Sequence, residues 1–491
     1  MSGSSGADTE KTLDPADWSS LRALAQRIVD DAADHLEGVR ERPLWQNPPS
    51  DVRAGFAAAL PRERQPLETV HDEITRSLMP YPMGNIHPRF WMWYMGAGSY
   101  GGALGAFLAA IDGSNLGAGN NAAALMDGQV VAWLREMTGL PGSASGTLTS
   151  GGSMANIIGL TVARNAMAGI DLREEGLGAL PRPLCFYASD QVHSCHRKGM
   201  ELLGLGNRAL RRVPSDAACR IDIAALRQAI GEDRAAGHQP ACVIANAGTV
   251  NTGAVDPLPE LADLCADEGL WFHVDGCIGA LVAIAPGHRH LVAGMERADS
   301  LALDPHKLMH VPFEAGCALI RDRDLHRGSF AVHPEYLEEK PRGIASAEVL
   351  ADYGPQLTRG FRALKVWMTL KEHGVDKLGR LIDQNIEQAG HLAALIDADP
   401  CMTRLGAVTL DIVCFRFEPQ AGMDEEALRA LNSEIMLRLQ EAGMAAISDT
   451  TIGGRHCLRA AIRNHRTRRS DPELLVREIR RIGDEIVAEP A

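Results

Sequence analysis

"LALDPHKLMH", residues Leu301 to His310, is the stretch on which the reading of the fold turns. A short apolar run meets an aspartate, Pro305 breaks the backbone pattern, and a single amine, Lys307, follows at once. A run this short, bounded by a turn signal, reads as a buried strand, and it places Lys307 just past the strand's end.

The same texture extends on both sides of it. From residue 100 to about 372, short apolar runs ("PLCFYAS", "ACVIANAG", "LWFHVDG", "DSLALD", "CALIRD") alternate with helical patterns such as "DIAALRQAIGEDRAAG" and "LPELADLCADEG", where a following glycine can cap the helix. Alternation of this kind predicts an α/β domain with a mainly parallel sheet covered on both faces. Residues 373–491 read helix, strand ("LDIVCFRF"), helix, strand ("CLRAAI"), helix, a smaller α+β domain. Residues 1–99 carry a helical arm, from about Asp17 to Leu78, with little core of its own. The extreme N-terminus, small and acidic, reads as a frayed end and not as a signal peptide.

The totals narrow the function. The chain has 491 residues, of which 45% are hydrophobic and 23% charged, and its 49 Lys and Arg against 63 Asp and Glu leave a net charge of −14. That balance disfavours a nonspecific hold on nucleic acid or an anionic membrane. No apolar run reaches the roughly 18 residues that span a bilayer. The ten cysteines are scattered without a C-x-x-C pair, so neither a disulfide framework nor a structural zinc site is expected, and a reducing cytoplasm fits.

Ligands of parallel sheets sit at the carboxyl ends of the strands, and four predicted ends carry polar groups. After "GTLTS", Gly151, Gly152 and Ser153 open a helix and offer N–H groups and a hydroxyl to a phosphate, although a glycine turn with a serine cap explains them equally well taken alone. After "LCFYAS" comes His193, which alone reads as a loop histidine. A metal on His193, Cys195 and His196 is discounted because no well-spaced carboxylate or cysteine completes the set. After "LWFHV" comes Asp275, a carboxylate that needs a positive partner if buried. The fourth end holds His306 and Lys307. A lone lysine is usually a solvated charge, but the convergence of cradle, carboxylate, imidazole and amine matches the needs of pyridoxal phosphate: an amine for its aldehyde, an acid for its ring nitrogen, a flat partner for its ring and a seat for its phosphate. Two glycine patterns, at Gly96 and Gly204, mimic dinucleotide fingerprints without the required strand or acid.

These residues resemble the group II pyridoxal-phosphate-dependent amino acid decarboxylases, nearest to the aromatic L-amino acid decarboxylase type. The likeness runs from "HPRFWMWY" at His87 to the helix ending near Val487, through "SDQVHSCHRKG", "GTVNTGAVDPL", "WFHVDG", "ADSLALDPHK" and "TRGFRALKVW". It implies fold type I of the pyridoxal phosphate enzymes, with a mainly parallel seven-stranded sheet, and decarboxylation of an L-amino acid to the amine. By motif, Lys307 looks like the imine lysine, Asp275 the partner of the ring nitrogen and His193 the stacked imidazole. Gly151, Gly152, Ser153, Thr249, Cys277, Asp304 and His306 complete the cofactor group that the resemblance implies. Tyr336, in "HPEYLEEKPRGIAS", matches the tyrosine that returns a proton after carbon dioxide leaves, where relatives with phenylalanine tend to give aldehydes. The resemblance further implies an obligate homodimer in which the Tyr336 loop reaches the neighbouring site.

Trp93, Tyr94, Asn115 and Arg359 are the substrate candidates. Trp93 and Tyr94 serve equally as interface packing, and Arg359 equally as a structural ion pair. The chain leaves the family's pattern at Asp304, usually asparagine, and at Val250, Leu308 and His310. "GSNLGAGNN" lacks the aromatic residue of enzymes acting on dopa or tryptophan. Aromatic substrates are favoured, with glutamate, aspartate or 2,4-diaminobutyrate, an aldehyde-forming reaction, or an inactive partner protein of the same fold as alternatives.

Overall fold

The computed structural model describes residues 11–332, 340–419 and 422–489. The first ten residues, read above as frayed, and Tyr336 lie outside the described residues.

Seven strands form the large sheet: β1 (Ser145–Thr149), β2 (Leu184–Ser189), β3 (Leu210–Val213), β4 (Gln239–Asn246), β5 (Trp271–Asp275), β6 (Ser300–Leu303) and β7 (Gly316–Ile320). Their order is β1-β7-β6-β5-β4-β2-β3, parallel except where β7 runs antiparallel to both β1 and β6. Burial explains why these runs are almost continuously apolar. Cys185, Tyr187, Val243, Ala245, Phe272 and Val274 face one core, while Phe186, Ala188, Cys242 and Ile244 face the other, the two-residue period of a sheet covered on both sides.

Helices supply the covers. Gly152–Met167 lies across β5, β6 and β7, burying Ala155, Ile158, Leu160 and Val162. On the opposite face, Ile223–Ala235 and Leu258–Glu268 contribute Leu226, Ile230, Leu261 and Leu264. Asp222 caps the first of these through the N–H groups of Ala224 and Ala225, and Gly269, at φ 65°, ends the second in the left-handed conformation that glycine tolerates.

A second sheet is wholly antiparallel, ordered β10-β11-β9-β8 from β8 (Met402–Arg404), β9 (Ile412–Phe417), β10 (Ser448–Ile452) and β11 (Arg455–Ala461). Helices Val375–Ala398, Glu425–Glu441 and Ser470–Ala488 pack on it around Phe415, Phe417, Ile435 and Ile479. Trp91 is fully buried in this core. Its N–H donates to the Ala446 carbonyl at 2.7 Å and its carbonyl accepts from Ala461 N–H at 3.0 Å. The chain accordingly divides into compact units at residues 1–83 and 84–491, an earlier break than the 99/100 boundary expected from sequence.

Within residues 1–83, helices Trp18–Glu37 and Leu67–Ser77 are joined by Arg27, which pairs with Glu68 at 2.8 Å and Asp72 at 2.7 Å, and by His71 with Asp31 at 2.6 Å. Helix Trp18–Glu37 buries no residue, as expected of an arm without its own core. Among the described residues no helix is long and apolar enough to cross a membrane.

Gly379 marks a close approach that fixes the helix Val375–Ala398 against the large sheet's connections. A Cβ there would lie 2.1 Å from the Ile284 carbonyl oxygen, a backbone atom that cannot swing away. Gly379→Ala is expected to cost about 1–3 kcal/mol of stability by overpacking, read as a lowered denaturant midpoint.

Candidate active site

The carboxyl ends of the parallel strands open onto a cavity of about 830 Å³. Register sets its polar floor, because Asn246 pairs with Asp275 and Asp275 with Ala302, aligning the ends of β4, β5 and β6. The turn Asp304–Lys307 follows β6 directly, and Lys307 N–H donates to the Asp304 carbonyl at 3.0 Å, curling the amine back over the sheet end.

Asp275 is buried and fully engaged. Its Oδ2 accepts from His196 Nε2 at 2.8 Å and its Oδ1 accepts from Cys277 N–H at 3.2 Å. Burial alone would raise this carboxyl, but the His196 hydrogen bond and charge hold it well below the usual carboxylate range. The partner responds in kind. Burial opposes charge on His196, yet Cys195 and Asp275 push its imidazole up to about 10. Behind them His273 is the opposite case, forced down to about 3 by burial, with its two nitrogens on Ser300 Oγ at 2.7 Å and Asn156 Oδ1 at 2.8 Å.

Lys307 Nζ lies 2.9 Å from Asp304 Oδ2. Burial disfavours its charge, but Asp304, and secondarily Cys277 and Asp275, outweigh that and hold the amine above its ordinary range. His193 caps helix Ser194–Leu202, its Nδ1 accepting from Cys195 N–H at 3.2 Å, and its ring lines the cavity. Gly151, Gly152, Ser153, Cys277 and His306 line it as well. His306 is fixed by Ala315 N–H, which donates to its Nδ1 at 3.2 Å.

Not every residue singled out from sequence joins this group. Thr249 is buried and bonds Thr252 Oγ1 at 2.9 Å, so its hydroxyl is spent on the turn and it does not line the cavity. Asn115 and Arg359 sit together at a different hollow of about 510 Å³. Asn115 Oδ1 accepts from Arg359 N–H at 3.0 Å, and the Arg359 guanidinium pairs with Asp127 at 3.2 Å, the structural ion pair foreseen as its alternative. Trp93 and Tyr94 do line the cavity, Trp93 half exposed and Tyr94 buried with its hydroxyl donating to Asp411 at 2.9 Å. His310 stands off the cavity, its ring 4.8 Å from that of His465.

Sequence reasoning missed His196. The sequence offers no well-spaced carboxylate or cysteine to complete a metal site on His193, Cys195 and His196, yet Asp275 lies beside Cys195 and His196, the three ligand atoms within 4.8 Å of one another. The short contact between His196 and Asp275 makes the cluster a hydrogen-bonded pair with a neighbouring thiol. Only the packing of helix Ser194–Leu202 on the sheet reveals it.

The conserved domain of pyridoxal-dependent decarboxylases matches residues 49–418. The chain belongs to that family. This pyridoxal-dependent decarboxylase is 33% identical to an aromatic-L-amino-acid decarboxylase of Bacillus atrophaeus, over 95% of this chain and 96% of that protein. It is 30% identical to tryptophan decarboxylase 2 of Oryza sativa subsp. japonica, over 93% of each. Its fold, type I of the pyridoxal phosphate enzymes, superposes with a TM-score of 0.89 on a crystal structure of Oryza sativa TDC with PLP and tryptamine, at 28% identity, covering 97% of this chain and 100% of that one. The protein is therefore a carboxy-lyase that uses pyridoxal phosphate and acts on an amino acid as its small-molecule substrate.

The residues present fit that cofactor. A largely enclosed amine and a carboxylate paired with an imidazole share one cavity, and a Cβ built on Gly152 would lie 2.3 Å from Cys277 Sγ, so only glycine leaves the cradle open. Asp304 is the one member whose charge opposes a phosphate.

His196→Leu removes one half of a buried pair and is expected to cost roughly 3–5 kcal/mol. Denaturant unfolding should show the loss, and a variant as stable as the parent would mean that Asp275 does not depend on His196.

Proposed function

We propose that this decarboxylase removes the α-carboxyl group of an aromatic L-amino acid, giving the amine and carbon dioxide, with Lys307 and Asp275 as its central pair. The observation that carries the reading is the largely enclosed Lys307 amine in one cavity with an Asp275 carboxylate that His196 holds at 2.8 Å. The aromatic preference is supported by the names of the relatives and by Trp93 and Tyr94 in the cavity wall.

When bound, pyridoxal phosphate supplies an aldehyde that joins amines and a protonated ring that takes up the electron pair left by carbon dioxide. Lys307 is the residue for the aldehyde. Asp275, an acceptor held ionised, keeps a proton on the ring nitrogen. The His193 ring suits the cofactor's face, and Gly151, Gly152, Ser153 and His306 suit its phosphate. Val250, Asn251 and Trp93 are drawn to the cavity by Arg459, which donates to the carbonyls of all three and ties the wall together. Tyr336, by its motif, delivers a proton to the carbon that lost carbon dioxide.

The reading extends to a homodimer in the cytoplasm. Phe107, Leu108, Ile111 and Leu125 expose 48–72% of their surface, apolar side chains that a partner subunit would cover. None of the ten cysteines is in a disulfide, which suits a reducing compartment.

Carbon dioxide release should be measured over tryptophan, tyrosine, phenylalanine and dopa beside glutamate, aspartate and 2,4-diaminobutyrate. Turnover of the aromatic set is expected, and turnover confined to the acidic or diamino substrates would overturn the preference. Lys307→Ala should abolish both release and the visible absorbance of the bound cofactor. Tyr336→Phe should slow protonation on the order of 10²–10⁴-fold and divert product from amine to aldehyde; an unaltered amine yield would remove Tyr336 from the reaction.

A further inference from the structure

The cavity holds two buried carboxylates, and the reading above gives a task only to Asp275. Asp304 is 3% exposed. Its Oδ2 contacts Lys307 Nζ at 2.9 Å and lies 3.8 Å from His306 Nε2. Its Oδ1 is buried and has no hydrogen-bond partner among the described residues. A buried acceptor left without a donor is costly, and such a group persists where something else benefits from it.

The direction of that carboxylate is given by its neighbours. A Cβ on Gly152 would lie 2.7 Å from Asp304 Oδ2, and one on Gly151 would lie 3.9 Å from Oδ1. Both oxygens therefore abut the first residues of helix Gly152–Met167, whose N-terminus has no side-chain cap. A helix N-terminus favours negative charge, through its free N–H groups and its dipole. The cofactor's phosphate would take its seat at the same place. An asparagine at position 304 could donate an N–H to that phosphate, whereas an ionised aspartate can only repel it.

We propose that Asp304 is an internal anion at the phosphate seat, which neutralises Lys307 and the helix N-terminus before the cofactor is loaded and weakens the hold on its phosphate afterwards. The chain thereby binds pyridoxal phosphate less tightly, and favours it less over unphosphorylated pyridoxal, than a neutral residue at this position would allow. The proposal rests on the assignment of Gly151 and Gly152 as the phosphate seat. Asp304 further opposes loading by holding the Lys307 amine in its charged form, which cannot attack an aldehyde.

The test uses the full chain stripped of cofactor and titrated separately with pyridoxal phosphate and with pyridoxal, following visible absorbance. Asp304→Asn is expected to raise the ratio of the two affinities roughly tenfold or more, the worth of exchanging a repulsion for one charge-assisted hydrogen bond. An unchanged or lowered ratio overturns the proposal. Asp304→Ser removes the charge with a smaller side chain and should move the ratio the same way, so a folding defect in the first variant does not decide the matter. On the unaltered chain, inorganic phosphate should compete only weakly with loading, and competition below about 1 mM would count against the proposal. Gly152→Ala separates the two levels of the reading. If it leaves the ratio untouched, the seat itself is misassigned; if it lowers the ratio while Asp304→Asn fails to raise it, the role of Asp304 alone falls.

Discussion

An ionised carboxylate at the tip of a buried strand is tolerable in this protein because His196 reaches Asp275 at 2.8 Å. Without that partner the strand end would carry an unpaired charge inside a nearly dry core, and the desolvation cost would fall on the whole sheet. The pair in turn ties helix Ser194–Leu202 to the end of β5, because His196 is on that helix and His193 is its cap. One contact thus positions both the Asp275 carboxylate and the His193 imidazole that lines the cavity beside it. The layer behind, in which His273 bridges Ser300 and Asn156, is neutral, so the charge stays confined to the layer that faces the cavity.

Much of this arrangement was legible in the sequence, for a physical reason. In a sheet buried on both faces the strands are apolar throughout, so the polar residues that follow them stand out, and Gly151, His193, Asp275 and Lys307 could be found in that way. The strands that escaped notice are short or polar: "LRRV" in β3, "MTR" in β8 and "SDTTI" in β10 carry too few apolar residues to give a pattern. The antiparallel course of β7 was equally hidden, since burial makes parallel and antiparallel strands look alike in composition. His196 escaped because its importance lies in a contact with a residue 79 positions away in the chain. Asn115 and Arg359 illustrate the converse. Their residue types fit a substrate site, but Asp127 pairs with the Arg359 guanidinium and the local turn occupies Asn115 Oδ1.

The four positions singled out from the sequence as unlike the family it resembles fall into two kinds. Leu308 and His310 are buried away from the cavity and concern packing, His310 being set against His465 with a backbone φ of 53°. Asp304 and Val250 face the cavity itself. Val250 contributes its backbone carbonyl to the Arg459 clasp, a role that any side chain at this position leaves intact, whereas Asp304 changes the sign of the local charge.

Trp91 adds one consequence of a different sort. Its ring is embedded in the core of the small antiparallel sheet, and its backbone is bonded to Ala446 and Ala461 of the same part of the chain. Two residues later the chain forms the aromatic wall of the cavity, with the Trp93 carbonyl gripped by Arg459 of β11. Asp275 ends β5 of the large sheet, and Lys307 lies in the turn that follows its β6. The cavity is therefore a seam between two frames, one carrying the amine and the carboxylate and the other the aromatic wall, so that its width depends on how the two sheets are held together.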